Sequence, residues 1–201
     1  MTTIRRELDN NEQEAFLKLI KACIQKDTRA QNMLYKEFFG YSKSIAMRYS
    51  SNSDDAKDIL NRGFMKVFDN LDKYMTEFPF KAWLRTIMVN TALSHYRDNK
   101  RFDETLALEN HMDVQYEPDI IAKLSYDEIL TMVQLLPPAY RMVFVMHVVD
   151  GYNHREIGEM LGIQEVTSRS NFMKARLKLQ LLIQKNHPSL FQNYMSVKRG
   201  I

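Results

Sequence analysis

The side chains best placed to do chemistry in this chain are bases that follow a glycine near its C-terminal end. Five Lys or Arg residues and no acid lie between Val166 and Lys185. These bases are Arg169, Lys174, Arg176, Lys178 and Lys185. A helix that carries them could bind nucleic-acid phosphates, because phosphate contacts supply most sequence-independent affinity. The same pattern is also typical of an ordinary helix with a solvated basic face.

Two helical patterns flank Gly162, and together they predict a helix-turn-helix. Asn153 and Glu156 have the spacing of a capping box, which predicts a helix start. Apolar side chains then follow on one helix face, at Ile157, Met160 and Leu161. Glycine tolerates the positive φ that ends a helix, so Gly162 predicts a tight corner before the basic helix. The alternative is a plain helical hairpin, since such corners are common.

The side chains expected to touch DNA are those on the N-terminal part of the second helix, which enters the major groove in a helix-turn-helix. Ser170 and Lys174, with Thr167 near the entry, point toward base edges when the helix is drawn at 100° per residue. Met173 shares that face and offers an apolar contact. Arg169 and Arg176 lie on one flank, where phosphate contacts are expected.

Metal or carboxylate chemistry has no comparable support. The five histidines are scattered along the chain, at His95, His111, His147, His154 and His187, without metal-ligand spacing. The acids concentrate in one segment rather than around a candidate nucleophile. A nucleic-acid hydrolase therefore remains the weakest alternative, and no cofactor is expected.

The elements that must position the bases are predicted to be helices throughout. The chain has 6 Gly and 5 Pro in 201 residues and no stretch of strand-like alternation. Four helices are predicted in the first half. The first covers about Asn11–Gln25, and the second covers Thr28–Ser50 with a break at Gly40. The third begins after an N-cap at Ser53, and the fourth covers Phe80–Arg97. The fold class is all-α, with two small helical domains.

The second half predicts a helix that begins with a capping box at Ser125 and Glu128, followed by a break at Pro137 and Pro138. Apolar residues around that break are expected to pack against the Gly162 corner. They are Leu135, Leu136, Val143, Phe144, His147 and Val148.

The end of the Phe80–Arg97 helix combines aromatic rings with bases. Five bases and one acid lie between Lys81 and Arg101, close to Trp83, His95 and Tyr96. Stacking rings beside positive charges suit single-stranded nucleic acid. A core tryptophan with a basic helix end explains the pattern equally well.

Composition predicts a cytoplasmic protein with an acidic linker. Phe102–Glu128 holds eight acids and one base, so the part up to Leu124 is interpreted as a flexible acidic linker. The net charge of +3 is mild, and the single cysteine, Cys23, is expected to be a buried, inert thiol. No apolar run approaches the ~20 residues that span a bilayer, so no membrane insertion is expected.

In this order, the parts resemble the extracytoplasmic-function group of bacterial sigma factors, of the sigma-70 type, across about Ala30–Ile183. The resemblance is carried by DDAKDILNRGFMKVFDNLDKY, FPFKAWLRTIMVNTALSHYRDNKR, LPPAYRMVFVMHVVDGYNHREIGEMLGI and TSRSNFMKAR. It implies a region 2-like domain over 1–101, a linker over 102–124, a region 4-like helix-turn-helix domain over 125–185, and a tail over 186–201.

The resemblance also implies a function and a set of site residues. Such proteins are not enzymes; they bind the clamp and flap of core RNA polymerase and direct promoter recognition and DNA opening. The implied polymerase contacts are Asp58, Asn61, Arg62 and Lys66. The implied −10 contacts are Tyr74, Phe80, Arg97, Lys100 and Arg101. The implied −35 contacts are Thr167, Arg169, Ser170, Met173, Lys174 and Arg176.

Two departures from the family pattern keep an alternative open. Asn61 and Arg62 stand where the family usually has Gln-Glu, which reverses a charge on the polymerase contact. Gln164 replaces the usual serine at the start of the second helix, so that N-cap is expected to be weaker. The alternative is a helix-turn-helix regulator or adaptor that needs a recruiting partner. An anti-sigma protein is a further expected class of partner.

Overall fold

The described residues form four helices before the acidic segment and four after it. A computed structural model describes residues 2–100 and 124–188, and only the backbone at 2–10 and 100. The helices are α1 (Thr2–Ile24), α2 (Thr28–Tyr49), α3 (Ser53–Asp69), α4 (Phe80–Lys100), α5 (Tyr126–Gln134), α6 (Pro138–Phe144), α7 (His154–Leu161) and α8 (Glu165–Asn186). A 3-10 turn spans Leu71–Lys73, and a π-helical segment spans Val145–Val149. The described residues contain no strand, which confirms the all-α class.

The chain divides into two compact units whose limits fall inside helices. The first comprises Met1–Ala46 and Lys57–Thr91, and the second comprises Met47–Ala56 and Ala92–Ile201. Both α2 and α4 therefore contribute residues to both units. The predicted limits at 101 and 125 lie beside residues 101–123, outside the described part, and they stay a prediction.

Aromatic rings build much of the core of the first unit. The Phe38 ring lies 4.8 Å from the Phe80 ring, and Phe16 contacts both at 6.2 and 5.3 Å. Aliphatic side chains with less than 2 % exposure fill the space around them; these are Leu34, Ile45, Ile59, Val67, Leu71, Leu84, Met88 and Val89. Ring pairs at these distances, of which the two with Phe16 are edge-to-face, add to the stabilisation from burial and fix the entry into α4.

The start of α3 is capped by Asn52 rather than by Ser53, so the prediction for Ser53 is wrong. The Asn52 side-chain oxygen accepts hydrogen bonds of 2.9 Å from the backbone N–H groups of Asp54 and Asp55. The two acids occupy the first turn, where the positive end of the helix dipole favours them.

The predicted break at Gly40 is also wrong, because α2 runs without interruption from Thr28 to Tyr49. Gly40 is exposed, and an exposed glycine inside a helix costs only about 1 kcal/mol relative to alanine. Helix α1 begins at Thr2, earlier than the predicted Asn11, and α4 ends at Lys100 rather than Arg97.

In the second unit, the predicted break between α5 and α6 is confirmed. A buried arginine forms hydrogen bonds with the backbone at this break. The Ser125–Glu128 capping box forms, and α6 begins with Pro138 at its first position. Arg141 is 3 % exposed and donates to the carbonyls of Gln134 and Leu136 at 2.7 and 3.2 Å. Its guanidinium therefore satisfies carbonyls at the end of α5, and burial lowers the pKa of Arg141 to about 10.

Not all of the predicted apolar contacts with the corner form. Leu136 and Val143 are buried, but Leu135 is 57 % exposed and Val148 is 55 % exposed, so the predictions for those two are wrong. Val148 lies in the π-helical segment, where each backbone hydrogen bond spans one residue more than in an α-helix and so shifts the side chains away from the α-helical face.

Candidate functional site

The corner between α7 and α8 has the geometry that the sequence predicts. Asn153 accepts from the N–H of Glu156 at 2.9 Å, and the Glu156 carboxylate accepts from the N–H of Asn153 at 2.8 Å. Gly162 ends α7 in the left-handed region with φ 66 and ψ 39. The carbonyl of Gly158 accepts from the N–H groups of both Gly162 and Ile163, the latter at 3.0 Å. These bonds satisfy the end of α7 and turn the chain directly into α8.

Close backbone contact between the two helices depends on Gly158. A Cβ atom at this position would lie 2.8 Å from the carbonyl oxygen of Ile163 and 3.4 Å from the backbone N of Glu165. Side-chain volume is therefore excluded where α7 meets the start of α8. The role of this glycine was not predicted, because its only signal in the sequence is its place on the buried face four residues before Gly162.

A cluster of rings supports the corner. The rings of His147 and His154 stack at 4.4 Å, and Phe172 contacts them at 4.8 and 5.5 Å. Nδ1–H of His147 donates to the Tyr152 carbonyl at 2.8 Å, and Nδ1 of His154 lies 3.0 Å from the hydroxyl of buried Ser168. The prediction that His147 is a packing residue rather than a ligand fits these contacts.

The surroundings of His154 favour its neutral form. Burial lowers the pKa of His154, and the nearby His147 and Arg169 lower it further, while Glu165 opposes them. A charge on His154 would lie against the His147 ring, with which it stacks at 4.4 Å. The imidazole thus stabilises the corner best when it is uncharged.

The predicted base-reading residues lie on the accessible side of α8. Thr167 and Met173 are exposed, and Ser170 and Lys174 are half-buried. Lys174 places its Nζ 6.0 Å from the Tyr140 ring. No side chain caps the start of α8 at Gln164, as the sequence predicts.

Arg176 was expected on a flank of α8, but its side chain packs against an aromatic ring of the same helix. Its guanidinium carbon is 5.6 Å from the centre of the Phe172 ring, and the residue is half-buried. Cation–π contact of this kind holds the charge against the ring cluster. The expected phosphate contact of Arg176 stays a prediction.

Arg169 is paired with an acid that the sequence analysis left out. Its Nε and NH2 groups donate to Oε1 of Glu165 at 3.1 and 2.6 Å. Glu165 is the first residue of α8, one position before the acid-free stretch. The spacing of four residues on a helix is the signal that could have revealed this pair.

The predicted polymerase contacts share one face of α3. Asn61, Arg62 and Lys66 are exposed, and Asp58 is half-buried. Nε of Arg62 lies 2.9 Å from Oδ2 of Asp58, one helical turn away. The unusual base at 62 is therefore compensated within its own helix, and the face presents a mixed charge rather than a positive one.

The loop before α4 is closed by Tyr74. Its hydroxyl donates to the Phe78 carbonyl at 2.6 Å, and its ring lies 5.2 Å from Phe80 and 5.4 Å from Trp83. Phe80 is only 6 % exposed, so the structure does not bring it to the surface as a DNA contact but places it beneath the loop. Met75 and Phe78, which the prediction did not single out, are 60 % and 58 % exposed.

Only part of the predicted basic cluster at the end of α4 is described. Arg97 is exposed, and its Nε is 3.4 Å from the Leu93 carbonyl. Lys100 is described by its backbone alone, while Arg101, the linker up to 123 and the tail after 188 lie outside the described residues. Nearby, Nε2 of His95 is 3.9 Å from Oδ1 of Asp55.

An apolar groove of about 580 Å³ runs between α5, the π-helical segment and α8. Tyr126, Leu130, Val148, Phe172 and Ile183 are among its lining residues. Its volume and lining are those of a site for an apolar side chain or a small amphipathic element.

Neither metal chemistry nor a membrane span finds support in the part of the chain that is described. Across residues 2–100 and 124–188, no three or more His, Cys, Asp or Glu side chains are grouped so that they could hold a metal ion. The helices of the same ranges are all too short or too polar to cross a bilayer.

An α-helical fold with a capped helix, a left-handed glycine corner and a basic second helix defines a helix-turn-helix protein. Two family models match it: Sigma-70 region 2 over residues 34–102, and Sigma-70 region 4 over residues 126–179. Together they cover more than half of the chain, which belongs to the sigma-70 family.

Similar proteins are extracytoplasmic-function sigma factors. The ECF RNA polymerase sigma factor SigE of Mycolicibacterium smegmatis is 27% identical over 74% of this chain and 60% of its own length. Thus the chain spans less than two thirds of that relative. EcfG of Rhodopseudomonas palustris is 25% identical over 70% of this chain and 78% of its own length.

Among solved structures, the sigma factor RpoE in complex with the anti-sigma factor NepR from Bartonella quintana is 20% identical. The match covers 78% of this chain and 98% of that one, with a TM-score of 0.46.

Proposed function

We propose that this chain is a sigma factor that binds core RNA polymerase and directs promoter recognition and DNA opening. The observation that carries the proposal is the presence of both sigma-70 regions in order on one chain, with a formed helix-turn-helix in the second. The chain then acts as a regulatory protein in the cytoplasm, without catalysis of its own. This class of protein needs the two surfaces that α3 and α8 present.

The contact with the polymerase clamp is proposed to use the α3 face with Asp58, Asn61, Arg62 and Lys66. Asn61, Arg62 and Lys66 are exposed, and all four side chains recur at helical spacing, as a helix-to-helix contact requires. Because Arg62 is already paired with Asp58, its charge adds little attraction to an outside partner. An exposed pair of this type contributes about 1 kcal/mol or less.

The −10 element is proposed to meet the Tyr74–Phe80 loop and the end of α4. Pulling one base from the stack costs a few kcal/mol, which a pocket and phosphate contacts must offset. Exposed Met75 and Phe78 offer apolar surface for such a base, while Tyr74 and buried Phe80 hold the loop from below. Arg97, Lys100 and Arg101 supply the charges for the adjacent phosphates.

The −35 element is proposed to meet α8, with Thr167, Ser170, Met173 and Lys174 toward the bases. Arg176 is then a phosphate contact whose position is supported by the Phe172 ring. Arg176→Ala should weaken binding to all sequences alike and lower the salt slope by roughly 1, whereas Lys174→Ala should change sequence preference. Lys185→Ala, in the last turn of α8, is the matched control.

The remaining partners are proposed from the groove and from the relatives. The flap of the polymerase is the candidate for the apolar groove beside α8, because amphipathic helices dock in such grooves. An anti-sigma protein is proposed as a regulatory partner because the chain belongs to the sigma-70 family and its sequence resembles the extracytoplasmic-function group.

A second function is favoured by one observation, the Arg62–Asp58 pair on the face that should bind polymerase. If that face binds core polymerase poorly, the chain would serve as a helix-turn-helix adaptor that needs a recruiting protein. Co-elution of the purified chain with core polymerase on a sizing column tests this directly. A sigma factor co-elutes at micromolar concentration, while an adaptor elutes alone and still shifts duplex DNA.

A further inference from the structure

Helix α8 carries one acid, and that acid stands at the end of the helix that should enter the DNA groove. Glu165 is its first residue, and the other charged side chains of Glu165–Asn186 are all Lys or Arg. Near phosphates a carboxylate is repelled, so Glu165 opposes the sequence-independent binding that the neighbouring bases of α8 favour.

The geometry of the Glu165–Arg169 pair leaves half of each group for an outside ligand. Nε and NH2 of Arg169 both donate to the same oxygen, Oε1 of Glu165, at 3.1 and 2.6 Å. Oε2 of Glu165 and NH1 of Arg169 take no part in the pair. The side chains are 43% and 62% exposed. The pair therefore presents an acceptor beside a donor at the tip of α8.

We propose that Glu165 and Arg169 act together as the reader of one C·G base pair in the −35 duplex. Oε2 of Glu165 accepts from N4 of the cytosine, and the guanidinium of Arg169 donates to O6 and N7 of the paired guanine. This inference rests on the proposed function, because it assumes that α8 enters the major groove of a −35 duplex. It changes Arg169 from a flanking phosphate contact to a base contact that Glu165 positions.

The major-groove edges of the four base pairs favour this assignment. Cytosine offers one amino donor and no acceptor there, while guanine offers two acceptors. A carboxylate therefore matches cytosine, and the adjacent fork of an arginine matches guanine. Adenine has an amino donor too, but its N7 acceptor would face the carboxylate. Thymine offers O4 in the major groove, and this acceptor would face the carboxylate, which is an acceptor itself.

A comparable pair on α7 provides the control. Nε of Arg155 lies 3.2 Å from Oε1 of Glu159, also with a spacing of four residues, and both side chains are well exposed. This pair lies on the first helix of the motif and not on the helix that is expected to enter the groove. An acid in the first turn of α8 also suits the helix dipole, so a stabilising role is the competing explanation for Glu165.

The test uses the full-length chain and a pool of duplexes with a randomised segment of −35 length. The preferred duplex is selected with the parent protein, and each of its base pairs is then replaced in turn in a competition assay. The parent should prefer C·G at one position by about tenfold or more. Glu165→Gln should reduce that preference to about threefold or less at the same position. Arg169→Lys, which keeps the charge but loses the fork, should do the same.

The outcomes separate the explanations. Glu159→Gln should leave every preference unchanged. If Glu165→Gln raises affinity equally for all duplexes, or lowers only the thermal stability, Glu165 is a repulsive or stabilising acid and the inference is overturned. Effects of Glu165→Gln and Arg169→Lys at different base pairs overturn the joint reading. A parent protein that selects no duplex refutes the −35 role itself, and the inference with it.

Discussion

Replacing Gly158 by alanine should open the helix-turn-helix corner and so weaken DNA binding. The added Cβ atom would lie 2.8 Å from the Ile163 carbonyl oxygen, whereas an ordinary carbon–oxygen contact is about 3.3–3.6 Å. The start of α8 would have to move by roughly 0.5 Å or more to restore that contact. The carbonyl of Gly158 also accepts the N–H groups of Gly162 and Ile163, so the strain falls on the bonds that form the corner.

The expected loss of stability follows from two opposing effects. Overpacking against backbone atoms costs about 1–3 kcal/mol. Alanine regains up to about 1 kcal/mol of helix propensity relative to glycine. We therefore expect Gly158→Ala to destabilise the unit that holds α7 and α8 by up to about 2 kcal/mol.

Urea unfolding followed by helical circular dichroism measures the stability, and a duplex titration at fixed salt measures the binding. Gly40→Ala is the matched control, because Gly40 is an exposed position of α2 where a Cβ meets nothing within 4 Å. It should stabilise the protein by about 0.5–1 kcal/mol and leave DNA binding unchanged. If Gly158→Ala is as stable as the parent and binds DNA equally well, the close contact between α7 and α8 is not required.

Three further predictions concern charged side chains. Arg62→Glu reverses the charge that the α3 face offers to the polymerase and removes the pair with Asp58, so we expect binding to core polymerase to weaken by about 1 kcal/mol or less, with Arg62→Gln as the neutral control in a fluorescence titration. Equal or tighter binding would show that Arg62 is not a matched contact. Arg141→Ala should cost about 3 kcal/mol in urea unfolding, because the carbonyls of Gln134 and Leu136 lose their donor; a loss below about 1 kcal/mol would contradict this role. Since the pKa of His154 is lowered below 6.5, its contribution to stability is complete above that pH and is lost as the pH falls. When the pH is lowered from about 7.5 to about 5.5, the melting temperature of His154→Asn should therefore fall by less than that of the parent. An equal fall would show that His154 does not cause the pH dependence of stability.

Local signals in the sequence were enough to predict the corner. A capping box and a glycine act over a few residues, so Asn153, Glu156 and Gly162 determine where α7 begins and ends without help from the rest of the fold. The break before Pro138 and the capping box at Ser125 are predictable for the same reason.

Features that depend on packing could not be predicted in this way. The π-helical segment at Val145–Val149 exposes Val148, and no local pattern distinguishes it from an α-helix. Burial of Phe80 depends on rings from α1 and α2 that are distant in sequence. Gly40 looks like a break because its propensity is poor, but packing of the rest of α2 outweighs a cost of about 1 kcal/mol.

The candidate site was predictable in its type of residues but not in its pairings. Bases on α8 follow from composition, whereas the direction of each long side chain depends on its neighbours. Arg176 lies against Phe172, and Arg169 is held by Glu165. Glu165, the one acid of α8, lies directly before Val166, so the acid-free stretch that begins at Val166 gives no sign of it. This acid adds a negative charge at the start of the basic helix.

Run-off transcription with purified core RNA polymerase is the measurement that tests the central claim most directly. The templates are duplexes that carry the −35 segment selected by this protein, each joined to a randomised −10 segment. We predict transcripts with a defined start that appear only when both this chain and core polymerase are present. The −35 selectivity of those transcripts should change with Lys174→Ala but not with Lys185→Ala. A chain that binds the same duplexes, yet supports no specific transcript and does not co-elute with core polymerase, would contradict the assignment as a sigma factor.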